Sequence, residues 1–397
     1  MTAPVWSQLV GQEPAVEVFS AAAASAAAIV AGEVAETGAM THAWLLTGPP
    51  GSGRSVAART FAAALQCVTG AGCGQCPGCR TALAGTHADV RLVVPEGLSI
   101  SVAEMRALVQ AAARRPTSGR WQVVIIEDAD RLTEGAANAL LKAVEEPPER
   151  TVFLLCAPSD HPEDVSVTIR SRCRQVTLRT PPPEAIARVL VERDGVAPER
   201  AEWAASVCGG HVGRARRLST DENARKRRDA VLRIPRGLRR PADVFACADE
   251  LIRTAEADAT EESKVRDEAE QEAMRTAMGA GGTGKGVASA KRAADAAVRQ
   301  LEKRQKSRAT RTQRDTLDLA LVDLAGFYRD VLVTRSGADA RLVHPDHAAE
   351  SAAAATEWTP ESTLRRLEAV LACREAIEWN VKPRIAVEAM VTTLRDG

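Results

Sequence analysis

Five short stretches of this chain have the pattern of strands: residues 43–46, 90–94, 121–126, 151–156 and 175–178. Three of them, 43–46, 121–126 and 151–156, are nearly continuous runs of apolar residues, the pattern of strands buried on both faces of a parallel sheet. Between them the apolar positions recur at helical spacing. After a lead-in over 5–12, helices are predicted from Pro14 to about Glu36 and over 56–65. Another opens at Ser101, with Glu104 completing a capping box, runs through Met105 and Leu108 and ends by Pro116. A further helix, 135–146, stops at Pro147-Pro148. Strands alternating with helices predict a parallel α/β sheet covered on both faces. Thr180-Pro181-Pro182-Pro183 marks a boundary. Beyond it the pattern gives three short helices, 184–193, 198–208 and 213–218. From about Pro241 it is helical throughout, with apolar faces Leu317-Leu321-Leu324 and Leu364-Leu367-Leu371. The domains expected are 1–180, 181–240 and 241–397.

Lysine plus arginine equals aspartate plus glutamate at 52 each, which argues against a chain that coats nucleic acid by itself and leaves only local patches. No basic region followed by an apolar one opens the chain, and residues 21–31 are too short and alanine-rich for a membrane span. The expectation is a soluble, cytoplasmic protein without membrane contact. Residues 256–314 are expected to form a flexible charged insertion. From Lys285 to Arg314 there are ten basic residues and two acidic ones. The Gly279–Gly286 tract is expected to be a hinge between solvated helices, with a basic arm touching DNA phosphates as the alternative. Gly282-Thr283-Gly284-Lys285 mimics a phosphate loop, but no strand precedes it and Gly286 stands where Ser or Thr is needed.

A stronger phosphate loop follows the first strand. Gly48-Pro49-Pro50-Gly51-Ser52-Gly53-Arg54-Ser55 fits G-x-x-x-x-G-K-[ST], with Arg54 in place of the lysine. Strand, glycine-rich loop and helix N-terminus let backbone N–H groups face a phosphate. Arginine is planar and bulky, so it does not simply replace a lysine point charge. Downstream, Glu127-Asp128-Ala129-Asp130 closes the strand 121–126, the Walker B position, where the first acid holds Mg²⁺ and the second positions water. The usual Asp-Glu order is inverted. Gly48, Gly51, Gly53, Arg54, Ser55, Glu127 and Asp128 are therefore candidates for a degenerate nucleotide site.

Cys67, Cys73, Cys76 and Cys79 fall within thirteen residues, and Cys73-Gly74-Gln75-Cys76-Pro77-Gly78-Cys79 gives two overlapping C-x-x-C turns. Four thiolates so spaced suit a closed tetrahedral Zn²⁺ site of structural type. Disulfides are disfavoured in a cytoplasmic chain. Cys156, Cys173, Cys208, Cys247 and Cys373 are scattered and expected to be ordinary core residues.

Leu9-Val10-Gly11-Gln12, the phosphate loop, the cysteine insertion and Leu140-Leu141-Lys142-Ala143-Val144-Glu145-Glu146-Pro147-Pro148 occur in that order, followed by Ile169-Arg170-Ser171-Arg172-Cys173. Over about residues 5–220 this set resembles a bacterial, actinobacterial-type DNA polymerase III clamp-loader subunit of the AAA+ class, whose signature is the Ser-Arg-Cys. The resemblance implies an AAA+ α/β domain with a zinc insertion at 67–79, a small three-helix lid domain and an all-α collar.

Within that family Arg54 and the inverted Glu127-Asp128 resemble the non-hydrolysing δ′ type rather than the γ/τ ATPase. So does Gly213, which stands where a sensor 2 arginine would touch the γ-phosphate. Arg214, one step on, is not credited with that role, and Pro158-Ser159 occupies the sensor 1 region. The resemblance implies ATP or ADP bound, if at all, without hydrolysis. It further implies an accessory subunit of a DNA-directed DNA polymerase, a nucleotidyltransferase, with γ/τ and δ subunits, the sliding clamp and primed DNA as partners. Arg172 would lie on an exposed loop between the region 165–169 and the strand 175–178, and act in trans as an arginine finger. A working γ/τ-type ATPase is the alternative. A small-metabolite P-loop kinase would need a lid in a second α/β segment.

Overall fold

The apolar runs become the middle of one parallel sheet. In the computed structural model, which describes residues 4–34, 38–95, 97–117, 119–277 and 287–397, the chain divides into two units, Met1–Ser219 and Thr220–Gly397. Unit 1 runs α1 (Glu13–Ala31), β1 (Ala43–Thr47), α2 (Arg54–Leu65), α3 (Pro77–Leu83), β2 (Val90–Val93), α4 (Val102–Ala112) and β3 (Gln122–Ile126). It continues with α5 (Glu134–Glu145), β4 (Thr151–Ala157), α6 (Val167–Arg170), β5 (Arg174–Thr177), α7 (Pro183–Glu192), α8 (Pro198–Val207) and α9 (Val212–Thr220).

The strand order is β2-β3-β4-β1-β5, with every pairing parallel. Every residue of β1, β3 and β4 is buried, whereas the edge strands β2 and β5 are half-exposed. One face packs on α1, α2 and α3, where Phe19 stacks on Phe61 at 4.9 Å and Trp44 meets Phe61 edge-on at 5.1 Å. The other face carries Met105, Leu108, Leu140 and Val144 from α4 and α5. Apolar surface buried on both sides of the sheet is the main stabilising term.

Several expectations need correction. Helix α1 ends at Ala31, with Gly32 left-handed (φ 75°) after it. At nineteen residues α1 is long and apolar enough to cross a membrane by length and composition, which the stretch 21–31 alone concealed; here its Phe19, Ala22 and Ala26 join the sheet core. Residues 167–170, expected as part of a strand-end region, form one helical turn, α6. The second C-x-x-C turn opens a helix instead: residues 77–83 form α3, with Cys76 as N-cap and Pro77 in the first turn, where proline needs no N–H partner.

Unit 2 contains α10 (Glu222–Gly237), α11 (Pro241–Ala277), α12 (Val287–Ser336), α13 (Ala348–Glu357), α14 (Pro360–Glu378) and α15 (Pro383–Asp396). Leu317, Leu321 and Leu324 are buried as expected. The face Leu364-Leu367-Leu371 is not the core face of α14. Leu364 and Leu371 are each 45% exposed, and the buried stripe is Thr363, Arg366, Val370, Cys373 and Ile377. Arg366 is accommodated because its guanidinium lies 4.4 Å from the Trp358 ring and it donates to the Leu394 carbonyl.

A second buried polar group closes the unit. Arg228 donates to Asp346 at 2.6 and 2.9 Å and lies 2.9 Å from His344 Nδ1, while His344 Nε2 donates to the Asp323 carbonyl. Gly326 makes room for that ring, since a side chain there would meet His344 Nε2 at 2.7 Å. The tract Gly279–Gly286 lies outside the described residues. Arg308 of the basic run pairs with Asp267 and Glu270 of α11, so its charge is used within the unit.

Candidate nucleotide site and metal centre

Because the strands are parallel, the carboxyl ends of β1, β3 and β4 lie at one edge of the sheet. Ile126 pairs with Leu155, and Thr47 with Ala157. The phosphate loop, Glu127 and Pro158 therefore meet there, with Gly48 N–H donating to the Pro158 carbonyl at 3.2 Å. This is the edge where open α/β sheets bind ligands. Gln12, buried, holds the loop from behind. Its Nε2 donates to the carbonyls of Ser52 and Arg179, and its Oε1 accepts from Arg179 N–H. Gln12 of the Leu9-Val10-Gly11-Gln12 motif thus ties the loop to the segment after β5, which spacing alone does not reveal.

Gly53, left-handed at φ 92°, precedes α2 and offers no side-chain cap, so the first-turn N–H groups of Arg54 and Ser55 point outward with the positive end of the helix dipole. Ser52 Oγ and Arg54 Nη1 are buried without a hydrogen-bond partner. Both are polar atoms on the glycine-rich loop that lack a partner from the protein.

The acidic side of the site departs from the expected arrangement. Glu127, 13% exposed, is paired at 2.9 Å with Arg59 Nη2. Arg59 lies one helical turn beyond Ser55 and was not singled out from the sequence. Asp128 adopts a left-handed conformation, φ 52°. Burial, with the Asp128 charge beside it, pushes Asp130 up to about 6 against the pull of Arg131 and Arg54, and its Oδ1 has no partner. Burial also pushes the Cys156 thiol up to about 12. Glu127 and Asp128 add to that shift while Arg54 and Arg59 oppose it.

His211 closes another side. A side chain at Gly51, φ 86°, would meet His211 Cα and Cβ at 2.7 Å. His211 Nδ1 accepts from Arg214 N–H at 3.2 Å, so the neutral ring carries its proton on Nε2; burial and the Arg214 charge lower its pKa. Gly213 lies under the same ring, 3.2 Å from where its Cβ would be to His211 Cε1. Ser159, in the sensor 1 region, turns inward on its own loop: its hydroxyl donates to Asp164 at 2.5 Å.

Arg172 lies apart from these groups on an exposed turn after α6. Its Nη2 pairs with Glu145 at 2.8 Å, and its Nη1 donates to the Thr168 carbonyl at 2.9 Å. Glu145 belongs to the Leu140–Pro148 segment, so two motifs distant in sequence are joined by this ion pair.

The four candidate metal ligands do come together. The Sγ atoms of Cys67, Cys73, Cys76 and Cys79 all lie within 4.8 Å of one another, and a tetrahedron of ~2.3 Å zinc–sulfur bonds has edges of about 3.8 Å. Backbone N–H groups of Cys73, Cys76 and Cys79 donate to Cys67, Cys73 and Cys76 sulfur at 3.2 to 3.4 Å. Burial works against a Cys67 thiolate, but hydrogen bonds from Thr69 and from Cys73 outweigh it and bring its pKa down to about 6. The cluster fits a structural metal. The other cysteines are dispersed, with Cys156, Cys208 and Cys373 buried and Cys173 and Cys247 half-buried.

Comparison with known proteins agrees with this geometry. The family model described as "DNA polymerase III, delta subunit" matches residues 26–182. The chain is 33% identical over 197 residues to DNA polymerase III subunit delta′ of Bacillus subtilis, covering 49% of this chain and 59% of that one. It is 37% identical over 186 residues to the Pseudomonas aeruginosa delta′ subunit, covering 45% and 55%. Identity to DNA polymerase III subunit gamma/tau of Mycobacterium bovis is 33% over 175 residues, covering 42% and 30%. The matches thus span little more than half the length of the delta′ relatives. Over its α/β unit, this chain is similar to the DNA polymerase III delta′ subunits of these bacteria.

Proposed function

We propose that the chain is a δ′-type, largely non-hydrolysing subunit of a DNA polymerase III clamp loader, which completes a neighbouring subunit's ATPase site through Arg172 and helps place the sliding clamp on primed DNA. The observation that carries this reading is the pairing of Glu127 with Arg59 beside a phosphate loop that has Arg54 for lysine. Phosphoryl transfer needs a phosphate clamp, a metal ligand and a positioned water. In this chain the metal-ligand carboxylate is committed to a guanidinium, and the second acid is a shorter Asp128 on a left-handed backbone.

The donated arginine, by contrast, is exposed and oriented by Glu145. γ/τ and δ subunits are the partners this role requires, and a cytoplasmic location follows from it. Zn²⁺ on Cys67, Cys73, Cys76 and Cys79 would tie the 67–79 insertion to the end of α2, where Cys79 Sγ approaches the Ala63 carbonyl at 3.4 Å. It has no open position for chemistry.

The competing reading, a γ/τ-type ATPase, draws on the gamma/tau identity. The isolated, zinc-containing chain separates the two. Its expected ATP turnover is indistinguishable from background, against the ~1–10³ s⁻¹ of working enzymes. Turnover in that range, abolished by Ser55→Ala, would establish the ATPase instead.

A further inference from the structure

The phosphate loop and the acidic strand end of this site are matched to different ligands. On the loop side, α2 opens without a side-chain cap, and Ser52 Oγ and Arg54 Nη1 are buried without partners. Ser52 is only 2% exposed, so water does not satisfy it from bulk. These groups suit the oxygens of a phosphate chain: the hydroxyl and guanidinium donate, and the first-turn amides add two or three more N–H groups.

On the acidic side the residues do not fit a divalent ion. Mg²⁺ demands near-octahedral oxygen ligands and is usually held through one or two carboxylates. Glu127 Oε1 instead lies 2.9 Å from Arg59 Nη2. Arg59 and Ser55, four residues apart, share one face of α2, so the guanidinium comes from the same helix that presents the amides. A cation entering beside Glu127 would meet Arg59 as well, and like charges at that separation repel. Asp130 is half-buried, and burial together with the Asp128 charge raises its pKa to about 6.

We propose that the loop binds the phosphate chain of a nucleoside di- or triphosphate without a divalent cation, Arg59 having taken the metal's place as the counter-ion of Glu127. This rests on reading the loop as a degenerate nucleotide site and adds to it the residue that removes the metal.

The test is equilibrium binding of ADP, ATP and inorganic pyrophosphate to the full-length chain in magnesium-free buffer and again with added Mg²⁺. Chelator is avoided so that the cysteine cluster is not stripped. Wild-type dissociation constants for ADP and ATP should agree within about twofold in the two buffers, and pyrophosphate should compete with both. Arg54→Ala should weaken binding by about 10–100-fold in either buffer, the scale of a lost charge-assisted hydrogen bond. Arg59→Ala frees Glu127 and should make binding about tenfold tighter with Mg²⁺ than without it. Arg59→Lys keeps a cation there and should stay indifferent to Mg²⁺. The last pair moves a metal dependence, which a residue serving only to hold the fold would not.

If thermal melting shows Arg59→Ala unfolded, the wild-type comparison and Arg59→Lys still decide. Wild-type affinity that rises tenfold or more on adding Mg²⁺ would overturn the proposal. So would absence of nucleotide binding in both buffers, or ADP binding with which pyrophosphate does not compete. None of those results bears on assembly with γ/τ and δ subunits, which tests the loader role separately.

Discussion

Replacing Arg172 by alanine is expected to leave this chain folded, zinc-loaded and able to assemble, and, on the proposed role, to cripple ATP turnover at the one neighbouring site it would complete. The expected loss at that site is large, since arginine fingers contribute roughly 10³–10⁵ in rate by neutralising charge that develops on the transferred phosphoryl group. Bulk turnover of the assembled loader falls only in part, because other subunits keep their own sites, while clamp loading falls further. Arg172 is exposed, and its pair with Glu145, 37% and 44% exposed on the two sides, belongs to the weak class of surface ion pairs. Leaving Glu145 for a partner's phosphate therefore costs little. Arg172→Lys should rescue poorly, because an ammonium lacks the bidentate fork. Steady-state ATPase and clamp-loading rates of loaders reconstituted with each variant check this. Normal rates with Arg172→Ala would remove the in-trans role.

Cys76→Ser is expected to abolish stoichiometric zinc and unfold the cysteine insertion. Cys76 acts twice: its sulfur is one corner of the cluster, and it accepts from Cys79 N–H as the N-cap of α3. Metal binding and local folding are one process in such sites, with apparent binding free energies of about 10–16 kcal/mol for structural zinc in small peptides. Hydrogen exchange should therefore lose protection over α3 and its approach, while β1, β3 and β4, buried along their whole length, keep theirs. Elemental analysis of reduced, chelator-free protein should give one zinc per wild-type chain and none for the variant. Zinc-free wild-type protein would sink the assignment.

The sheet was legible because strands buried on both faces are written as apolar runs; β3 and β4 begin and end within a residue of where those runs do. The cysteine spacing likewise carries its geometry with it. Helical faces are less legible. Leu364, Leu367 and Leu371 have a core-like spacing, but Val370, Cys373 and Ile377 offer a second stripe on the same helix, and burial followed the packing of neighbouring helices rather than leucine count. Helix α3 was hidden because Pro77-Gly78 reads as a turn, although proline is equally at home at a helix start.

Arg59 is the clearest case of what sequence order conceals. An arginine in the second turn of a helix is ordinarily a solvated residue. Only the strand order, which lays the end of β3 near the helix following β1, brings it to Glu127. Gln12 is similar: its partners Ser52 and Arg179 are 40 and 167 residues away. Neither connection leaves a local pattern. The inverted Glu127-Asp128 was visible in sequence, but its consequence depends on a guanidinium supplied by another element.

The most direct measurement is native mass spectrometry of a mixture of this chain with purified γ/τ and δ subunits, coupled to ATP turnover with clamp and primed DNA present. The expected result is a stable assembly that contains this chain and turns over ATP faster than the same mixture without it. Failure of the chain to enter any such assembly, or an assembly whose turnover and clamp loading are the same with and without it, would contradict a δ′-type role.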